Sequence, residues 1–539
     1  RYSRMKRIKI IVIASVLLLG TANSKKGIAQ VCEPESTQSA LQYLRRASLD
    51  LRGHLPSIEE LESVVTNQSI DAAIIENMVE SDAFLETVRA YHRDLLWANV
   101  NSQRLTANTW RLTTPRGALR SDILFLIAAA RATSYRGSQI PCQNKPQSEL
   151  GYDPISGIPN TETTALGEQE GYVEVSPYWA PNTRVKVCAF DAQENLEGTG
   201  RNGQTVQCNR TTNARDCGCG PSLKWCHSRN GAQDTERYIT NSWNEQIFRF
   251  VENIVSNDQP YSEILTGNNY EVNGPTSNYF LNLWSAGQAQ LLSYPIQNYT
   301  IPEVPFSELE NWQPVTGGLR HAGLLTLPAF LVKFQTNRSR ANRFYNAFLC
   351  QEFQAPEGGL PASDDECNQE PNLSERCGCD YCHQTLEPAA AHWGRWVEAG
   401  VAPLNEDLFP KTNDDCLRPG ARNSLNCRRF YLTQAQHPKE EPYVGQLISY
   451  MFATAEMEDN IEKGPEKLAR AAIDSGAFAS CTVKNVWKHY VGKSETVLDE
   501  SIHSELTEVF KQGYDLKALV KNIVTRSQYV DAGLYEAEE

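Results

Sequence analysis

Methionine and histidine are scarce in this chain, four and nine residues of 539, so any site that needs a thioether or an imidazole is confined to a few positions. Basic charge is also in deficit. Lys and Arg total 51 against 65 Asp and Glu, a formal charge of -14, which repels polyphosphate and argues against nucleic acid as a partner. Beyond the first twenty residues no run is apolar enough to cross a bilayer, so no transmembrane span is expected in a mature chain.

The beginning has the pattern of a secretory leader, residues 5–29. Met5 reads as the start of translation, with Arg1–Arg4 upstream of it. A basic Lys6-Arg7 region, an apolar run from Ile10 to Leu19 and small residues up to Gly27 and Ala29 follow in order. The apolar run is shorter than the roughly 20 residues that span a membrane, so cleavage is expected over retention as an anchor. Ala29-Gln30-Val31 is a poor lipidation box for Cys32.

Cysteine is abundant, fifteen residues, and in an exported protein that points to disulfides. Residues 32–100 have helical apolar spacing, with Ser57 and Glu60 set three apart as a capping box. Residues 101–230 are polar and rich in Gly, Asn, Pro, Thr and Ser. With six cysteines and one short apolar run, Ile123–Ala130, they read as a cysteine-rich loop insertion braced by disulfides. Helical pattern returns over 231–310. A long helical segment from Leu319 to Cys350, interrupted at Pro328, opens the region 311–430, and 440–539 is helical again. The expected fold class is mainly α, a multi-domain helical protein with long disulfide-braced loops.

Cys377-Gly-Cys379-Asp-Tyr-Cys382-His383 contains C-x-x-C-H, the attachment sequence of c-type haem. Cysteines three apart share one side of a helical turn, where their sulfurs can add to the two vinyl groups, and the adjacent histidine becomes the proximal iron ligand. A chain of this composition contains the motif by chance only on the order of one time in a hundred. Two other readings exist: zinc held by Cys377, Cys379, Cys382 and His383, or plain disulfides. The zinc set is cramped, since structural zinc usually draws ligand pairs from separated segments. A second cluster, Cys217-Gly-Cys219 to Cys226-His227, has six residues where the motif needs two, so a short disulfide loop is expected there and a second haem at Cys219, Cys226 and His227 is not. Two thioethers leave an odd number of cysteines. Cys481, in the apolar helical run Phe478–Trp487, is the expected free thiol.

Other stretches carry a likeness. Arg45-Arg-Ala-Ser-Leu-Asp-Leu-Arg-Gly-His-Leu-Pro56, Tyr261–Tyr270, Ala322–Thr326, Asn337–Arg343, the Leu386-Glu-Pro388 and Gly394-Arg-Trp396 that follow the haem peptide, and Gly513–Leu519 resemble the planctomycete-type cytochrome c-like domain proteins, which are large exported bacterial proteins. The likeness covers most of the chain outside 101–230. It implies a cytochrome c-like haem-binding region over 311–430, thioethers at Cys379 and Cys382, and His383 as axial ligand. Cys377, Ala389–Ala391 and His392 depart from the family's pattern.

The function expected is that of an exported c-type cytochrome with one haem c, transferring electrons in the periplasm or at the outer cell surface. Its partners would be one or more redox proteins and the haem-attachment machinery. A filled sixth iron position is expected, with Met451 or His321 as distal ligand. Met457 and His392 are weaker candidates, and core packing is the commoner fate of a helical methionine; His489, with His321 and His392, is instead a candidate distal acid or base for a haem enzyme. A haem enzyme of peroxidase or oxygenase type is the alternative, and would need an open iron and a distal acid or base. The third class is a structural or interaction protein of the envelope.

Overall fold

The structure is a computed structural model that describes residues 40–531, except 68, 102–104, 106–109, 115–124, 129–141, 201, 212–213, 230–233, 284–299, 319, 354–365, 402, 421–424 and 493–497. The expected leader, Cys32 and the end of the chain lie outside the described residues. Helix dominates, at 51%. Among the described residues no helix is long and apolar enough to cross a membrane.

Four helices, Ala40–Arg52, Ile58–Asn67, Ala72–Val79 and Asp82–Leu96, open the fold. Each start that has a capping residue uses it. The Ser57 N–H donates to Glu60 at 2.8 Å and the Glu60 N–H donates back to Ser57 Oγ at 3.2 Å, the reciprocal box expected from the spacing. Asp71 and Ser81 cap the next two helices through Ala73 and Phe84. These helices pack against residues between Tyr490 and Tyr529. Arg46 donates to the carbonyls of Tyr529 and Tyr490, Tyr43 donates to that of Val524, and the Tyr529 hydroxyl donates to Asp50.

Between the two ends runs the longest helix, Thr235–Ser256, with 22 residues. Ile239, Trp243, Ile247, Phe250, Val251 and Ile254 recur every three or four positions and are all buried, which gives the helix one broad apolar face. Its flank is tied to Asp82–Leu96 by Arg89, forked between Glu245 at 2.7 Å and Glu252 at 2.6 Å. A single contiguous core runs from Leu44 to Tyr529, and a smaller satellite core forms around Val397, Leu404, Phe409, Phe430, Tyr431, Leu447 and Tyr450.

Among the described residues of 101–230, several short stretches form strands. Short strands build a five-stranded sheet in the order Tyr172–Val175, Val185–Cys188, Phe125–Ala128, Arg111–Thr113, His227–Ser228, with two small hairpins beside it. Strands of two to four residues are too short to display a period of two, so the sequence reads as loop even where a ladder forms. The bracing is by disulfides as expected: Cys142–Cys188, Cys208–Cys217 and Cys219–Cys226. A buried ion pair, Arg111 with Glu236 at 2.6 Å, fastens the sheet to the first turn of the long helix.

Two expectations are corrected. Pro328 does not interrupt a helix; it starts one, Pro328–Lys333, because a proline in the first turn forfeits no intrahelical hydrogen bond. A second helix, Asn337–Leu349, begins separately at a Thr336–Ser339 capping box. Nor is Cys481 a free thiol. It is joined to Cys350, which ends Asn337–Leu349 in a left-handed conformation, so its helix Ala477–Tyr490 is bolted to Asn337–Leu349. Its buried position was legible in the sequence, but a partner 131 residues away was not.

Replacing both Cys350 and Cys481 by Ala is expected to lower the unfolding free energy by about 2–4 kcal/mol, read as a lower denaturant midpoint, because the bond closes a long loop. A variant as stable as the parent would mean that the two helices hold without it. His92 generates a second expectation. Its Nδ1–H donates to Val88 O at 2.7 Å and its Nε2 accepts from the Tyr261 hydroxyl at 2.8 Å, so the ring is held neutral in the core. Burial lowers its pKa from 6.5 to about 4. Below pH 6.5 the unfolded chain binds a proton that the native ring refuses, so stability falls from pH 6.5 down to about 4 and this contribution then levels off. In urea titrations across that window, His92→Gln should flatten the fall; an unchanged slope would contradict the neutral ring.

Candidate functional site

The haem-motif residues open the helix Asp380–Ala391. Gly378 sits at a φ of 74°, in the left-handed region that glycine tolerates, so the chain turns sharply between Cys377 and Cys379. That turn separates two fates. Cys377 joins Cys367 in a disulfide, whereas Cys379 becomes the N-cap of the helix and Cys382 follows in its first turn, both half-buried and outside the six disulfides. The Cys382 and His383 N–H groups donate to the Cys379 carbonyl at 3.2 and 3.0 Å, so all three residues share one turn. Tyr381, between the cysteines, is 68% exposed.

The helix is gripped from two sides. Leu386, Ala389 and Ala390 belong to the main core, and Ala391 belongs to the satellite core. Small alanines let the helix lie close to its neighbours. Just beyond its end, Trp393 lies over Phe330 and its indole N–H donates to Leu325 O at 3.2 Å.

His383 is 20% exposed in its side chain, and its Nδ1 lies 2.5 Å from Glu387 Oε1, one turn on. An ionised carboxylate only accepts, so Nδ1 carries the proton and donates, which leaves Nε2 as the nitrogen open to a ligand. Glu387 is held in turn by Arg338, which donates from Nε at 2.6 Å and Nη2 at 3.2 Å. The Ser374 hydroxyl donates to the His383 carbonyl at 3.2 Å.

Along the later part of this helix, at Glu387, Ala390 and Ala391, lies a cleft of about 420 Å³, within the range of small-molecule and cofactor sites; Cys379, Cys382 and His383 are not among the residues that line it. Arg338, Glu387, Arg429, Phe430, Met451 and Met457 are among the residues that line it. Met451, expected from the sequence as a candidate distal ligand, is therefore in the same cleft as the partner of His383. His321 lies outside it. Its Nδ1 pairs with Thr326 Oγ1 at 2.8 Å, its ring lies 5.1 Å from that of Tyr270, and its Nε2 is buried without a hydrogen-bond partner among the described residues. Burial lowers its pKa to about 4. His392 is also neutral and buried, donating from Nδ1 to Gly464 O at 2.9 Å, with a pKa of about 4. His489 packs against Tyr91.

The second cysteine cluster is a closed disulfide loop, Cys219–Cys226, and a bonded sulfur is not available for a thioether. His227 is buried, with Nδ1 2.9 Å from Thr235 Oγ1 and a pKa lowered by burial to about 4. The zinc reading loses Cys377 to its disulfide, and among the described residues no group of three or more His, Cys, Asp or Glu is placed to hold one ion. A haem peptide makes a different demand, because its two sulfurs bond carbon atoms at the edge of a macrocycle and only the histidine bonds the metal.

Neither Glu387 nor Arg338 is among the candidate residues that the haem motif points to. A signal for Glu387 was present, since a glutamate four residues after a histidine on one helix faces it. Arg338, on another helix, left no such signal. No protein-family model, curated protein or solved structure matches the chain.

Non-reducing peptide mapping is expected to recover Cys219 bonded to Cys226 and Cys367 bonded to Cys377. A thioether adduct on Cys219 would contradict the first pairing, and a metal-protected Cys377 thiol the second.

Proposed function

We propose that the chain is an exported c-type cytochrome that carries one covalent haem at Cys379 and Cys382, with His383 as proximal ligand, and transfers electrons in the cell envelope. The observation that carries this reading is the separation of the sulfurs. Among the described residues twelve cysteines are consumed in six disulfides, and the other two are those of the C-x-x-C-H turn. The residues fit the group. Two sulfurs one turn apart suit two vinyl groups, the Nδ1–H tautomer of His383 suits ligation through Nε2, and Glu387, the partner of that tautomer, lines a cleft that also holds the thioethers of Met451 and Met457.

Bound haem would supply one-electron oxidation and reduction. The chain would supply the tether and the axial nitrogen. Met451 is the preferred sixth ligand, on the ground that it shares the cleft with Glu387 whereas His321 is engaged elsewhere. Export is supported by the leader pattern at 5–29 and by the number of disulfides, which persist outside a reducing cytoplasm. A redox protein as partner follows from the same chemistry.

Expressed with its leader in a host that attaches haem c, the intact protein should stain for haem after denaturing electrophoresis. Pyridine haemochrome analysis should give one equivalent, and replacing both Cys379 and Cys382 by Ala should abolish the stain. An unstained parent band overturns the reading, and two equivalents would restore the Cys219 cluster as a site. Carbon monoxide tests the sixth ligand. Slow or absent binding that becomes rapid in Met451→Ala is expected, while rapid binding to the parent would mean an open iron and put the haem-enzyme reading first.

A further inference from the structure

We propose that Glu387 is a positioning residue that sets the reduction potential of this site by accepting the Nδ1–H of His383; the inference rests on the haem reading above. The common partner of a proximal histidine can be a backbone carbonyl, water or a carboxylate, and these differ in charge. Here it is a carboxylate at 2.5 Å on the next turn of the same helix, with 16% of its side chain exposed. The helix itself fixes the pair, because residues four apart face one another.

A full negative charge on the far side of the imidazole draws its proton and makes Nε2 a stronger donor. It also favours the ferric state, which carries one more positive charge than the ferrous, by simple Coulomb attraction. Both effects act in one direction and lower the potential. Arg338 works against them. It is forked onto both oxygens of Glu387, half-exposed, and withdraws part of the charge that His383 would otherwise feel. The chain thus has a graded device of three side chains, Arg338, Glu387 and His383, in which the first moderates the second. A site tuned this way sits at the reducing end of what its axial ligands allow, and suits delivery of electrons to an acceptor better than their capture from a weak donor.

The arrangement also supplies its own control. Glu398 is another carboxylate lining the same cleft, and it accepts from the Asn337 N–H at 2.8 Å without touching His383. Glu387→Gln keeps a carbonyl oxygen for the Nδ1–H and removes the charge; Glu398→Gln removes a similar charge without the hydrogen bond. Potentiometric titration of the haem-stained proteins should show Glu387→Gln raised by at least tenfold in the ferric-to-ferrous equilibrium, about 59 mV for one electron, and Glu398→Gln raised by clearly less. Arg338→Gln should be lowered. Equal shifts in the two glutamate variants, or none, overturn the inference while leaving the haem reading intact.

A second measurement needs no haem. In the full-length Cys379→Ala/Cys382→Ala protein, nitrogen-15 NMR should find the His383 proton on Nδ1, and adding Glu387→Gln should weaken that preference. A proton on Nε2 overturns the contact by itself. An unstained parent protein overturns the haem reading and the inference with it, and the NMR result then still says whether the histidine and glutamate pair.

Discussion

The helix Asp380–Ala391 is wedged between two apolar cores, and most of what the site can do depends on that grip. Leu386, Ala389 and Ala390 face the large core, and Ala391 faces the satellite core. Because both sides are filled at that end, the helix is fixed while its first turn keeps Cys379, Cys382 and His383 half-buried. Packing at one end of the helix positions chemistry at the other.

Oxidation of the other cysteines is the second half of that constraint. Cys377, Cys379 and Cys382 lie within six residues, so that oxidation among them could pair them in several ways. The structure avoids this by committing Cys377 to Cys367 across the left-handed turn at Gly378. The satellite core is stapled likewise by Cys416–Cys427, and the helix beneath the site by Cys350–Cys481. These disulfides thus commit the neighbouring cysteines to partners other than Cys379 and Cys382.

The ion pairs follow the same division. Arg111 with Glu236 is buried and joins the small sheet to the long helix. Arg89 does the same between two helices. Arg338 with Glu387 is more exposed, contributes little to stability by the usual measure of surface pairs, and instead acts on the neighbouring histidine.

The sequence by itself determined whatever is local. The helical periods of 40–96 and 235–256, the Ser57–Glu60 cap and the C-x-x-C-H turn all depend on residues within a few positions of one another, where helix geometry sets which side chains meet. Even the Glu387 contact was within reach of that rule. What only the tertiary structure decided is long-range: that Cys481 meets Cys350, that Arg338 holds Glu387 from another helix, that Met451 lines the cleft while His321 does not, and that strands of two to four residues find partners in 101–230. Each depends on how helices and strands distant in the chain pack, and spacing along a sequence carries no measure of distance across a core.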